Sequence, residues 1–427
     1  LLKGRAVIIT FLVTLTAGSC FLTYRYCRPF QKYKIKNRII RINPSVKVDP
    51  TQEYHLRLWD YDWPLAGGNY RDYLKKEVRG FNQLYPRIKV EIRLLDLLTG
   101  PDELARALDA GRPPDVYCSA LTVPEFDLKY QVPVGPFLPA QTLQSRYFSG
   151  IRRLTEIDGV QCFFPRWARV EGWVGNRNLL EQAGCPISQI QTQGWQWTDL
   201  LSLKAQARES FVVVGKVIPD AVLDKILPGQ APDRAAGEWR LLRQIREARI
   251  LATGMLEDFV AGRVPLLAGV KPIVFRRLRE RLVQSGQDWE PVYLPAPSGW
   301  PERRVEPVEL GVISVYHHPR QGGYRQVAAA IKLGEYLSRS LADQAPWEEL
   351  MLIPAARNSA VNWFKKTFET GATFRVWEAK LTQDEWCRAE ITSYRREKAT
   401  LTLQGYLTGK FSRRQAIARL REEMNTD

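Results

Sequence analysis

Five consecutive residues, Trp59-Asp60-Tyr61-Asp62-Trp63, alternate aromatic rings with carboxylates, and Trp167, Arg169, Trp173 and Trp300 add three indoles and a guanidinium further along. Indoles and phenols present rigid apolar faces, while carboxylates accept from hydroxyls and a guanidinium donates to them. Such a set suits a small polar ligand whose rings have apolar faces edged by hydroxyls, which is the chemistry of a carbohydrate. Trp59, Tyr61, Trp63, Trp167, Trp173 and Trp300 are candidate stacking platforms, with Asp60 and Arg169 as candidate hydroxyl partners. The chain has 13 tryptophans, so several of them belong to the core rather than to a site. Trp59 and Asp60 stand first because position and neighbours coincide.

Other chemistries lack their residues. Cys20, Cys27, Cys118, Cys162, Cys185 and Cys387 are scattered without CxxC spacing, so neither a zinc ribbon nor a dithiol redox pair is expected. The three histidines are His55, His317 and His318, and the adjacent pair cannot face one metal from a regular strand. No metal and no cofactor is expected. Asp60, Asp62 or Glu171 could be drafted as the acid and base of a glycosidase, but nothing fixes a carboxyl separation. With no nucleophile elbow, phosphate loop or HExxH motif, no catalytic residue is assigned and an enzyme is the weaker alternative.

Charge argues against nucleic acid. The net charge is +16, but residues 1–52 hold ten Lys or Arg against Asp49 alone, a net +9, which leaves +7 for the other 375 residues. Residues 6–24 carry no charge, and as a helix they would span about 28 Å, close to a bilayer core. Residues 1–30 therefore read as a membrane anchor, either an uncleaved helix or a lipoprotein-type signal with Cys20 as the lipidated residue after Ala17-Gly18-Ser19. Residues 31–52 read as a basic linker beside anionic lipid or wall polymer. The basic residues from Arg25 to Lys47 would, by the positive-inside rule, favour a cytoplasmic side.

The body must then position the candidate residues. His55 to Trp59 reads as a strand, and Tyr70, Tyr73, Leu74, Val78, Phe81 and Leu84 recur at helical spacing. Ile88, Val90, Ile92 and Leu94 alternate as a strand, a helix carrying Leu104 and Leu108 ends at Gly111, and an apolar strand surrounds Val116. This alternation predicts a parallel sheet wound with helices. Ligands of such open sheets lie beyond the carboxyl ends of the strands, which adds Ser119 to the candidates. Near the C-terminus, Gly409 stops a helix, Ser412 and Gln415 form a capping box, and Ala416, Ile417, Leu420 and Met424 make a buried face.

Several segments resemble the extracellular solute-binding proteins of carbohydrate ABC transporters, over nearly all of residues 53–427. FNQLYPRIKVEI is similar to the family's opening passage, ALDAGRPPDVY to its Ala-Gly and Pro-Pro-Asp-Val segment, and EIDGVQCFFP with WVGNRNLLEQAGCP to its Asp-Gly, Tyr-Asn and Ala-Gly passage. GWQWTDLL, EDFVAGRVPLLAG, LMLIPAARNSA and LTGKFSRRQAIARLREEMN continue the match in order. The sequence departs where Gly175-Asn176 replaces the usual Tyr-Asn and Pro265-Leu266 the usual Ala-Met.

The resemblance implies an α/β, two-lobed, periplasmic-binding-protein-like fold with hinge strands: lobe one from 53–165 and 312–354, lobe two from 166–311 and 355–427. It implies a monomeric, non-enzymatic protein, held at the cell membrane with its body outside, that captures a small ligand such as a sugar or oligosaccharide for the permease subunits of an ABC importer. A ligand sensor signalling to a membrane partner is the alternative within the same fold. The implied hinge closure has a direct test in solution scattering. A saturating sugar should lower the radius of gyration, and an unchanged profile would argue for a rigid pocket.

Overall fold

The computed structural model describes residues 30–65, 69–119, 123–170, 172–207, 212–215, 236–251, 256–270, 272–297, 308–318, 323–339, 349–350, 352–367 and 393–425. The predicted anchor, Cys20, Glu171 and Trp300 lie outside these residues. Among the described residues no helix is long and apolar enough to cross a membrane.

In chain order the strands are β1 (Gln31–Ile35), β2 (Arg38–Ile42), β3 (Tyr54–Tyr61), β4 (Ile88–Leu95), β5 (Val116–Cys118), β6 (Gln131–Val132), β7 (Glu156–Ile157) and β8 (Val160–Gln161). They continue as β9 (Phe164–Val170), β10 (Gly172–Asn176), β11 (Val213–Gly215), β12 (Leu266–Val270), β13 (Pro291–Leu294), β14 (Val308–Tyr316) and β15 (Ile353–Pro354). A seven-stranded sheet runs β15-β9-β14-β5-β3-β4 with β6 beside β14, and a four-stranded sheet runs β11-β12-β10-β13.

The chain divides into two compact units. One comprises Leu1–Ser145, Thr155–Arg166 and Gly311–Ser340; the other comprises Arg146–Leu154, Trp167–Leu310 and Leu341–Asp427. The chain thus changes unit within β9, between Arg166 and Trp167, and within β14, between Leu310 and Gly311.

In the first unit β3 pairs in parallel with β4 on one side and β5 on the other, and β14 returns antiparallel against β5. The helix Tyr70–Leu84 opens on Asn69, whose side chain accepts from the Arg71 N–H, and it buries Tyr70, Tyr73, Leu74, Val78 and Phe81. These are the positions that helical spacing picks out. Leu84, expected on the same face, lies in the last turn and is 65% exposed.

Residues 31–42 correct the linker reading. They form an antiparallel hairpin in which Lys34 faces Ile39 and Tyr33 faces Ile40. Its turn uses Lys36 and Asn37 at φ 47° and 62°, the double left-handed turn that matches strand twist. The sequence hides this because lysines and arginines alternate with Tyr33, Ile35, Ile40 and Ile42, so charge density masks a period of two. Ile35 and Ile42 are buried, and the Lys36 side chain and backbone N–H reach Glu125 and Asp158. Phe30 packs edge-on against Tyr324, 5.3 Å between centroids. The hairpin is therefore part of the first unit.

In the second unit Trp173, Trp195, Trp197, Trp239, Leu242 and Leu266 share one core with Leu403 and Leu420. Close packing sets the glycines of β10: a Cβ at Gly172 would collide with the Tyr293 ring, and one at Gly175 with Leu180. No tyrosine fits where Gly175 stands. The capping box forms, with the Ser412 N–H donating to Gln415 at 2.9 Å and the Gln415 N–H to Ser412 at 3.3 Å. Gly409 has φ +83° after the helix Ser393–Leu407, and Ala416 and Leu420 are fully buried.

Replacing Ile35 by Ala should lower unfolding stability by about 2–5 kcal/mol through lost transfer energy and a cavity. Chemical denaturation measures it, and an unchanged midpoint would return the hairpin to the status of a linker.

Candidate functional site

The pleat of β3 separates the two foremost candidates. Side chains alternate along a strand, so Asp60 shares a face with Leu56 and Leu58, while Trp59 shares the opposite face with Arg57 and Tyr61. Leu56 and Leu58 are fully buried, and so is Asp60. Trp59 and Asp60 cannot both address one small ligand from a regular strand.

Asp60 lies in a closed network. Its Oδ2 is 2.8 Å from the Arg166 Nη2 and accepts from the Tyr70 hydroxyl at 2.8 Å. Its Oδ1 accepts from Arg166 Nη1 at 3.0 Å and from the Tyr61 N–H at 2.8 Å. Arg166 also donates to the Tyr70 oxygen at 3.0 Å. Both charged side chains are 1% exposed. Burial pushes the Tyr70 hydroxyl well above the ordinary tyrosine range, so it stays a donor. Burial opposes the Arg166 charge, but Asp60, with help from Cys118 and Tyr70, reverses this and raises the guanidinium pKa. The Cys118 thiol is likewise pushed up by burial, which leaves it an unreactive thiol. This geometry makes Asp60 a structural anion, with its lone pairs engaged inside the first unit.

Trp59 is 7% exposed, and the Arg93 guanidinium lies 4.5 Å from its ring centroid. Arg93 pairs across the strands with Trp59 and is itself held by Glu103. Tyr61 and Tyr117 share a hydrogen bond of 2.6 Å between their hydroxyls. Ser119 closes the end of the β5 and β14 ladder: its N–H donates to the Val312 oxygen at 2.8 Å and its hydroxyl accepts from the Val312 N–H at 2.9 Å. Trp63 is buried just beyond β3.

The fold thus gathers Trp59, Asp60, Tyr61, Trp63 and Ser119 at the carboxyl ends of β3 and β5. Two exposed carboxylates stand at the same edge. Asp62 leads off β3, with its N–H on the Leu95 oxygen at 2.9 Å. Asp96 follows β4, and the N–H groups of Leu98 and Thr99 hold its carboxyl below the usual range.

The other candidates belong to the second unit. Trp167 on β9 is fully buried, and its strand neighbour is Pro354. Arg169 forms an ion pair with Glu309. Trp173 meets Trp195 and Trp197 edge-on, with centroids 5.8 Å and 5.7 Å away, and belongs to the core of this unit. The indole of Trp195 donates to the Pro295 oxygen at 2.7 Å, which fixes that cluster. Asn176, in the segment likened to Tyr-Asn, caps the helix Arg177–Gln182 by accepting from the Leu179 N–H at 3.2 Å.

Sequence reasoning missed Arg93, Tyr70 and Arg166 as the partners of its foremost residues. Arg93 was findable, because β4 was legible and parallel pairing brings it opposite Trp59. Arg166 was not, since 106 residues separate it from Asp60. Among the described residues no cluster of His, Cys, Asp or Glu could hold a metal ion, and Cys118, Cys162 and Cys185 are buried and form no disulfide.

No protein-family model and no curated protein sequence matches the chain. Solved structures do match. A sugar-binding protein, MalE, from Xanthomonas citri superposes with a TM-score of 0.62 at 16% identity, covering 87% of this chain and 96% of its own. The cyclic alpha-maltosyl-1,6-maltose binding protein of Arthrobacter globiformis gives 0.58 at 12% identity, covering 87% and 98%. A family 1 extracellular solute-binding protein from Bifidobacterium longum subsp. infantis gives 0.57 at 13% identity, covering 87% and 99%. The chain has the α/β fold of these solute-binding proteins, as the sequence resemblance implied.

Replacing Asp60 by Ala should cost about 3–5 kcal/mol, because it strands the buried Arg166 charge. The paired change Asp60→Leu with Arg166→Met should recover much of that loss. Denaturation of both variants measures it, and a near-neutral Asp60→Ala would show that the network is not closed.

Proposed function

We propose that the protein is a non-enzymatic, carbohydrate-binding solute receptor, tethered to the membrane by its N-terminal segment, whose body lies outside the cytoplasm and delivers sugar to an ABC importer. One observation carries this reading. The fold match spans 87% of the chain, and the matched proteins bear names of sugar and oligosaccharide binders. The tether rests on the uncharged run at 6–24, and lipidation of Cys20 is its alternative form.

Within the first unit, the ligand-facing edge is the carboxyl end of β3. Trp59, with Arg93 against its ring, supplies a rigid stacking surface, Tyr61 and Trp63 flank it, and the exposed Asp62 accepts from hydroxyls. Asp60 serves this site indirectly, by fixing the strand end from its other face. Signalling to a membrane partner uses the same binding step.

A thermal-shift screen of the full chain against a sugar library should find stabilising sugars, because a ligand that binds only the folded state raises the midpoint. With such a sugar, Trp59→Ala should cost about 2 kcal/mol or more, at least tenfold in affinity by calorimetry. A large fall in unfolding midpoint with affinity retained would make Trp59 a packing residue and move the site elsewhere.

A further inference from the structure

The basic hairpin is a structured surface that sugar capture does not use. Paired residues of antiparallel strands share a face. Ile35, Ile42, Tyr33 and Ile40 form the inner face, and Lys32, Lys34, Ile39 and Arg41 the outer one. All four outer side chains are exposed, and Ile39 is 67% exposed. Lys36, at the turn, is held by the body: its ammonium pairs with Glu125 and its backbone N–H donates to Asp158. Among the described residues no ion pair engages Lys32, Lys34 or Arg41. The body therefore holds the hairpin by its turn and inner face and leaves three cations and one aliphatic side chain facing out.

We propose that this outer face docks on the anionic phospholipid headgroups of the membrane that holds the chain's own N-terminus, an inference that rests on the tether reading above. Two features select lipid. The uncharged run ends at Tyr24, and the chain from there to Gln31 can extend over at most about 25 Å, so a tethered hairpin stays near the bilayer. A bare isoleucine among lysines and arginines suits a headgroup layer, where cations meet phosphate and an apolar side chain enters the acyl boundary. The docked hairpin would orient the first unit on the membrane. It would also give the basic residues a folded, extracytoplasmic role, so that their charge need not signal a cytoplasmic side.

The test uses the full chain in lipid nanodiscs, either phosphatidylcholine alone or mixed with phosphatidylglycerol, and measures the acylation rate of individual lysines. Lys32 and Lys34 should react roughly fivefold more slowly in the anionic discs, as expected from the attraction of each cation to an anionic surface. Exposed Lys76 and Lys89 should be unaffected. Raised salt should abolish the protection, and Arg41→Glu should weaken it. Equal rates in both discs would overturn the proposal. So would protection by a soluble anionic polysaccharide, added to neutral discs, as strong as that by phosphatidylglycerol. If the chain does not enter discs, the tether reading fails, and sedimentation with phosphatidylglycerol vesicles then decides docking alone: salt-sensitive retention supports it, and no retention refutes it.

Discussion

The buried ion pair between Asp60 and Arg166 is the constraint on which the carboxyl end of β3 depends. Two opposite charges at 1% exposure are tolerable only when each satisfies the other, and here Tyr70 and the Tyr61 N–H complete the shell. Asp60 belongs to the strand end that carries the candidate aromatics, Tyr70 opens the helix that follows it, and Arg166 is the last residue of the first unit on β9. One network therefore ties the end of β3 to the strand in which the chain changes unit. Such a network contributes less net stability than its hydrogen bonds suggest, because desolvation offsets them. Its effect is geometric: it fixes the end of β3 against Tyr70 and Arg166.

The network also explains why Trp59 and Tyr61 can face the other way. With Asp60 committed inward, the pleat turns its two neighbours to the opposite face, where Arg93 braces Trp59 and Tyr117 braces Tyr61. Trp59 at 7% and Tyr61 at 1% exposure are thus fixed in place, and under the proposed reading a fixed ring loses little conformational entropy on binding. The carboxylates of Asp62 and Asp96 are exposed at the same edge.

What the sequence revealed follows the range of the interactions involved. The helix at 70–84, the alternation of β4, the stop at Gly409 and the box formed by Ser412 and Gln415 are set by residues within a few positions of one another, and all were legible. Asp60 was singled out for a ligand because its neighbours are aromatic, but its fate is decided by Arg166, far along the chain. Trp173 reads in sequence like Trp59, yet it meets two other tryptophans in a core that only folding assembles. The hairpin at 31–42 reads as a linker in sequence because net charge is a coarser signal than alternation. The fold as a whole was legible from the order of many short, degenerate segments, none of them diagnostic alone.

Binding without turnover is the central act of the proposed receptor, and equilibrium dialysis of the full chain against an oligosaccharide that raises its unfolding midpoint tests this most directly. The expected result is saturable retention with one sugar per chain, and recovery of the sugar chemically unchanged after release. Retention that does not saturate, or the appearance of shortened sugars, would contradict it.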